Sequence, residues 1–125
     1  MRFTQSFEIT KWDQSAYDES GDITLGRATV GKNFTGGELQ GTSAAELLTV
    51  GTEAGPAAYT AVERFTGTLS GKEGEFVMLH GATADQDASH GTIVAATGGL
   101  TGLTGTVLYE HDDKGPRLTL DYELA

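Results

Sequence analysis

Ala58-Tyr59-Thr60-Ala61-Val62-Glu63-Arg64-Phe65-Thr66-Gly67-Thr68-Leu69 alternates over its whole length. The odd positions are Tyr59, Ala61, Glu63, Phe65, Gly67 and Leu69, and the even positions are Thr60, Val62, Arg64, Thr66 and Thr68. Successive side chains of a strand point to opposite faces, so this is a long strand with its odd face inward. Ser70 to Gly74 is turn chemistry and closes a hairpin into a strand from Glu75 to Thr83.

The same period extends outward in both directions, and helical periodicity is nearly absent. Strands are expected at Phe3 to Trp12, Ile23 to Phe34 and Leu39 to Val50 upstream, with a polar loop from Asp13 to Asp22. Downstream they are expected at Ser89 to Ala96, Leu103 to Tyr109 and Arg117 to Leu124. Ala44 to Leu48 has some helical propensity but lies inside a strand-length run between turns. About eight short strands without a βαβ unit describe an all-β domain. Closure removes exposed strand edges, so the expectation is a single antiparallel β-barrel spanning residues 1–125. Interior glycines such as Gly26, Gly31, Gly41, Gly67 and Gly91 suit its coiling and corners.

Composition narrows the function. Eighteen acids against eight bases give a net charge of −10, which excludes the basic face that nucleic acid or an anionic membrane would require. The chain has no Cys, so thiolate and disulfide chemistry are absent. It opens Met1-Arg2-Phe3-Thr4-Gln5 with no apolar segment behind the charge, and a cytoplasmic location is expected. The three His are isolated, without His-x-His or Glu-x-x-His spacing, so neither a metal site nor a cofactor is expected.

Glu63 stands out, because parity sets a carboxylate among apolar inward residues. Desolvation there would raise its pKa and suit it to general acid–base work. The competing reading is a buried structural Glu, bonded to backbone or to a basic side chain. His80 is its natural companion: a hairpin closing over Ser70 to Gly74 sets Leu69 opposite Phe76 and Phe65 opposite His80, leaving Glu63 on a diagonal to His80. A satisfied core histidine is the alternative for His80. Trp12, Tyr59, Phe65, Met78 and Tyr122 are candidates for a pocket wall, with core packing as the default for each. Arg27 and Lys32 fall on opposite faces of one strand, so at most one points inward, to bind an anionic ligand group or to pair with Glu63 or Glu46.

Several segments carry a family resemblance. They are Phe7 to Asp13, Gly26 to Val30, Val62 to Leu69, Gly74 to Gly81, the glycine stretch Gly98-Gly99-Leu100-Thr101-Gly102-Leu103-Thr104-Gly105, and Leu120 to Leu124. In this order they resemble a bacterial domain-of-unknown-function family of the allene oxide cyclase-like, dirigent-like barrel class. The family's Trp before the glycine stretch is replaced here by Ile93. The resemblance implies a barrel with an apolar cavity and association through outer faces. Val62, Val77 and Leu79 on the exterior accord with a homodimer. Two functions are left open. One is a cofactor-independent cyclase, isomerase or lyase acting on a small lipophilic substrate, with Glu63 and His80 catalytic. The other is a barrel that binds a lipophilic small molecule without chemistry.

Overall fold

A computed structural model describes residues 1–124 of the chain. Nine strands form it: β1 Arg2–Ser6, β2 Glu8–Asp18, β3 Thr24–Phe34, β4 Leu39–Thr52, β5 Gly55–Leu69, β6 Lys72–Thr83, β7 Ser89–Gly98, β8 Thr104–Asp112 and β9 Gly115–Glu123. All pairings are antiparallel, in the order β1-β9-β8-β7-β6-β5-β4-β3-β2. Strands consecutive in sequence therefore pair, except at the start, where β1 and β2 form the two edges. The sheet curls into a half-barrel, and no ladder joins β1 to β2 among the described residues. A closed barrel of eight strands is thus corrected to nine strands in an open, curled sheet. No helix among the described residues is long and apolar enough to cross a membrane.

The extra strand comes from the N-terminal segment. The expected strand from Phe3 to Trp12 breaks at Phe7, whose ring is buried and whose N–H donates to the Pro116 carbonyl at 3.3 Å. Burying Phe7 bends the chain from one sheet edge to the other. Residues 13–18 belong to β2 rather than to a loop. Nearly all of β2 is exposed on both faces, so no buried face imposes alternation on its sequence. Bulges between Ile9 and Lys11 and between Ala16 and Asp18 interrupt this edge, a device that discourages strand addition.

The β5–β6 hairpin turns through Ser70 and Gly71 alone. Both have positive φ, 49° and 84°, which matches the right-handed twist of the flanking strands. Leu69 therefore pairs with Lys72, and Phe65 with Phe76 rather than with His80. This register differs from expectation by four positions. An even slip leaves every side chain on its face, and the alternation was read correctly although the pairing was not.

Large and small inward residues are segregated along the half-barrel. One end is filled by Phe7, Phe34, Phe65, Phe76 and a shell of Leu, Met and Tyr side chains. The glycine stretch serves this end: Gly98 and Gly102 turn with positive φ, and the turn lays a fully buried Leu100 over the core. Gly41 and Gly67 face each other in the β4–β5 ladder, where a side chain on either would meet the opposite backbone. The other end holds Ala28, Val30, Ala45, Leu47 and Ala61, which are too small to fill the curl.

Candidate functional site

Where large residues give way to small ones, a cleft of about 670 Å³ opens on the concave face. Ile9, Trp12, Val30, Leu47, Val50 and Ala82 are among its walls. Tyr59, His80, Lys32, Tyr109 and His111 also line it. Lys32, His80 and Tyr109 converge on Glu63, which is fully buried below them, and Tyr59 reaches it through His80.

Each partner of Glu63 comes from a different strand. Glu63 Oε1 accepts from Lys32 Nζ of β3 at 2.8 Å and from His80 Nε2 of β6 at 2.8 Å. Its Oε2 accepts from Ser43 Oγ of β4 at 2.5 Å and from the Tyr109 hydroxyl of β8 at 2.9 Å. The local sequence makes room for this. Ala45 lies opposite Glu63 in the ladder, and so small a side chain lets the carboxylate and Lys32 meet across the intervening strand. Lys32 Nζ also lies 3.8 Å from the centroid of the Tyr109 ring, a favourable cation–π position.

These contacts reverse the expected ionisation of Glu63. Burial does act to raise its pKa, but the His80 hydrogen bond, the Lys32 charge and the further donors together lower it to about 2. Glu63 is therefore a carboxylate with its acceptor positions occupied, not a protonated acid. Lys32 shifts down from the usual lysine range, because burial penalises the ammonium more than Glu63 favours it. The asymmetry is chemical: Glu63 receives four donors, whereas Lys32 has one hydrogen-bond acceptor. Burial, reinforced by the Glu63 charge, pushes the Tyr109 phenol well above its ordinary value. Burial also raises Tyr59 and lowers His111.

A carboxylate can only accept, so His80 Nε2 carries hydrogen. Nδ1 of the same ring lies 2.9 Å from the Tyr59 hydroxyl. Carboxylate, imidazole and phenol thus form a chain from the buried interior to the cleft. Every buried side-chain N and O atom among the described residues is satisfied.

Among the candidates read from sequence, Glu63, His80 and Tyr59 come together here, and Trp12 lines the cleft from the β2 edge with about half its surface exposed, 53%. Phe65 and Met78 are fully buried in the packed end and are not among the cleft residues. Tyr122 lies in that same end, its hydroxyl 2.9 Å from Ser70 Oγ. Arg27 is on the outer face, 3.2 Å from Glu46, so Lys32 is the inward cation of β3. Sequence reading missed Ser43, Tyr109 and His111. Tyr109 and His111 follow Val107 at alternate positions, a parity that marks them as inward.

The family model described as "Protein of unknown function (DUF3224)" matches residues 3–124. The chain belongs to this family. A solved DUF3224 protein of unknown function from Shewanella oneidensis MR-1 is 30% identical, with a TM-score of 0.86 over 100% of this chain and 97% of that one. No curated protein matches. The DUF3224 fold thus extends over the described chain, and any activity has to be argued from the cleft itself.

Proposed function

We propose that this protein binds a small, neutral, lipophilic molecule in the cleft, with one polar group of the ligand against Tyr59, His80 and Lys32. The observation that carries this reading is a cleft of about 670 Å³ with largely apolar walls and a few convergent polar groups at its floor. That size and arrangement are typical of small-molecule sites. Neutrality follows from charge: Lys32 and Glu63 already balance each other, and a net charge of −10 disfavours anions. The allene oxide cyclase-like resemblance adds a barrel class in which an apolar interior holds the ligand.

The neutral fluorophore N-phenyl-1-naphthylamine tests the reading. Saturable binding is expected, weakened at least about tenfold by Ala82→Trp, which fills the cleft from β6. No saturable binding to a cooperatively folded protein overturns it.

The homodimer is proposed from the outer face. Val62 and Leu79 are cross-strand partners there, and both are exposed. Light scattering at micromolar concentration is expected to give a dimer mass, weakened by Val62→Asp, and a monomer mass removes the proposal.

A further inference from the structure

We infer that Tyr59 and His80 move a proton to and from a carbon acid bound in the cleft, which makes the protein a catalyst of enolisation in a neutral lipophilic ketone. This rests on the binding reading above and adds a reaction to it.

The geometry decides which groups can act. Glu63 is fully buried with both oxygens doubly engaged, so it does not reach a ligand. It acts as a positioning residue. By accepting the Nε2 hydrogen of His80, it leaves Nδ1 as the ring nitrogen that can take a proton, aimed at Tyr59. Tyr59 is half-buried and lines the cleft; the Ser89 side chain hydrogen-bonds to its oxygen, and a phenol oxygen with two lone pairs has the second left for the ligand.

The step balances without a cofactor. A proton leaves the carbon next to the ketone carbonyl and joins the Tyr59 oxygen, as the Tyr59 hydrogen passes to His80 Nδ1. The C–H electron pair becomes the enolate double bond, and the carbonyl pair moves onto oxygen. The imidazolium so formed is held by the Glu63 carboxylate. Lys32, the only Lys or Arg among the described cleft residues, offers its remaining N–H bonds to the enolate oxygen. Return of a proton by the same path to the same carbon gives exchange, and to a conjugated carbon gives isomerisation.

Alternative uses of these groups fit less well. A purely structural network would need Glu63 and Lys32, but not an imidazole whose free nitrogen faces a cleft phenol. A site for a permanently charged anion would need a cation beyond Lys32, which Glu63 already balances at 2.8 Å, whereas a transient enolate oxygen needs only hydrogen-bond donors.

The test uses 2-tetralone, a neutral bicyclic ketone, in deuterium oxide, with deuterium uptake at its α-carbons read by mass spectrometry. Uptake faster than in buffer is expected, and Tyr59→Phe is expected to lower the protein-dependent rate about a hundredfold. Tyr59→Phe is expected still to bind N-phenyl-1-naphthylamine saturably, which shows that the cleft is intact in the variant. Nitrogen-15 spectra of the His80 ring read the positioning role. Hydrogen on Nε2 and a bare Nδ1 are expected in the native protein, and a mixture of tautomers in Glu63→Gln. Three results overturn the inference while leaving the binding reading intact: no uptake although 2-tetralone displaces the fluorophore, unchanged uptake in Tyr59→Phe, or a native ring with hydrogen on Nδ1 alone. Failure of both the fluorophore and the ketone to bind overturns the binding reading, and the inference with it.

Discussion

Glu63→Gln is expected to destabilise the protein by about 3–5 kcal/mol, the cost of breaking a buried ion pair from one side. The substitution is nearly isosteric, so packing is not the cause. All four groups around the carboxylate are donors. The new amide NH2 cannot accept from any of them, and Lys32 keeps a buried charge with no counter-charge. Hydroxyls can rotate to relieve part of the conflict, but the ammonium cannot. For a domain of this size the melting temperature should fall by roughly 10 °C or more. Thermal melts of Glu63→Gln, Lys32→Met and the double variant check the assignment. The double variant should lose clearly less than the sum of the single losses, because removing both charges leaves neither orphaned. Additive losses would show that the pair is not coupled.

The same pair predicts an acid limb. The folded pKa of Glu63 is depressed to about 2, below its ordinary value of 4.5. A depressed carboxylate contributes stability that is fully present above the unfolded pKa and is lost as pH falls through the folded one. The stabilisation should therefore be complete above about pH 5 and fade toward pH 2, with a total of about 3 kcal/mol. Denaturant melts across this range should show a shallower acid limb in Glu63→Gln. An elevated Glu63 pKa, as its apolar neighbours in sequence imply, would give the opposite slope.

Phe65→Ala is expected to cost about 3–5 kcal/mol, through lost burial and the cavity left behind. Phe65 is fully buried, stacked on Phe76 at 5.0 Å and edge-on to Phe34 at 5.8 Å. These rings fill the packed end, and the backbone of a curled sheet cannot collapse onto the gap. Phe65→Leu keeps most of the volume and should cost about 1 kcal/mol. Neither variant should change fluorophore affinity by more than about threefold, since Phe65 is not a cleft residue. Chemical denaturation and the fluorophore titration together check this. A stable Phe65→Ala protein with lost binding would return Phe65 to the pocket wall.

Alternation along the chain determined the all-β class, most strand positions and the inward face of β5 and β6. Those are local properties, because a strand's period of two is written in adjacent residues. It also put Glu63 and His80 on one interior face, and that survived a pairing wrong by four positions because the slip was even. Lys32 was within reach of the same argument, as Ala28, Val30 and Phe34 share its parity and are all buried. Only the second half of the exposed edge strand β2, residues 13–18, was hidden, because a strand bare on both faces has no pattern to read.

Tertiary structure alone decided the rest. The two-residue turn at Ser70 and Gly71 set the hairpin register, and burial of Phe7 carried the chain from one sheet edge to the other. The charge state of Glu63 depended on partners from β3, β4, β6 and β8, residues 17 to 46 positions away in sequence. A single carboxylate among apolar neighbours reads as a protonated acid. Four donors converging through a curled sheet make it an ion, because Coulomb and hydrogen-bond terms act over a few ångströms of space whatever the distance along the chain.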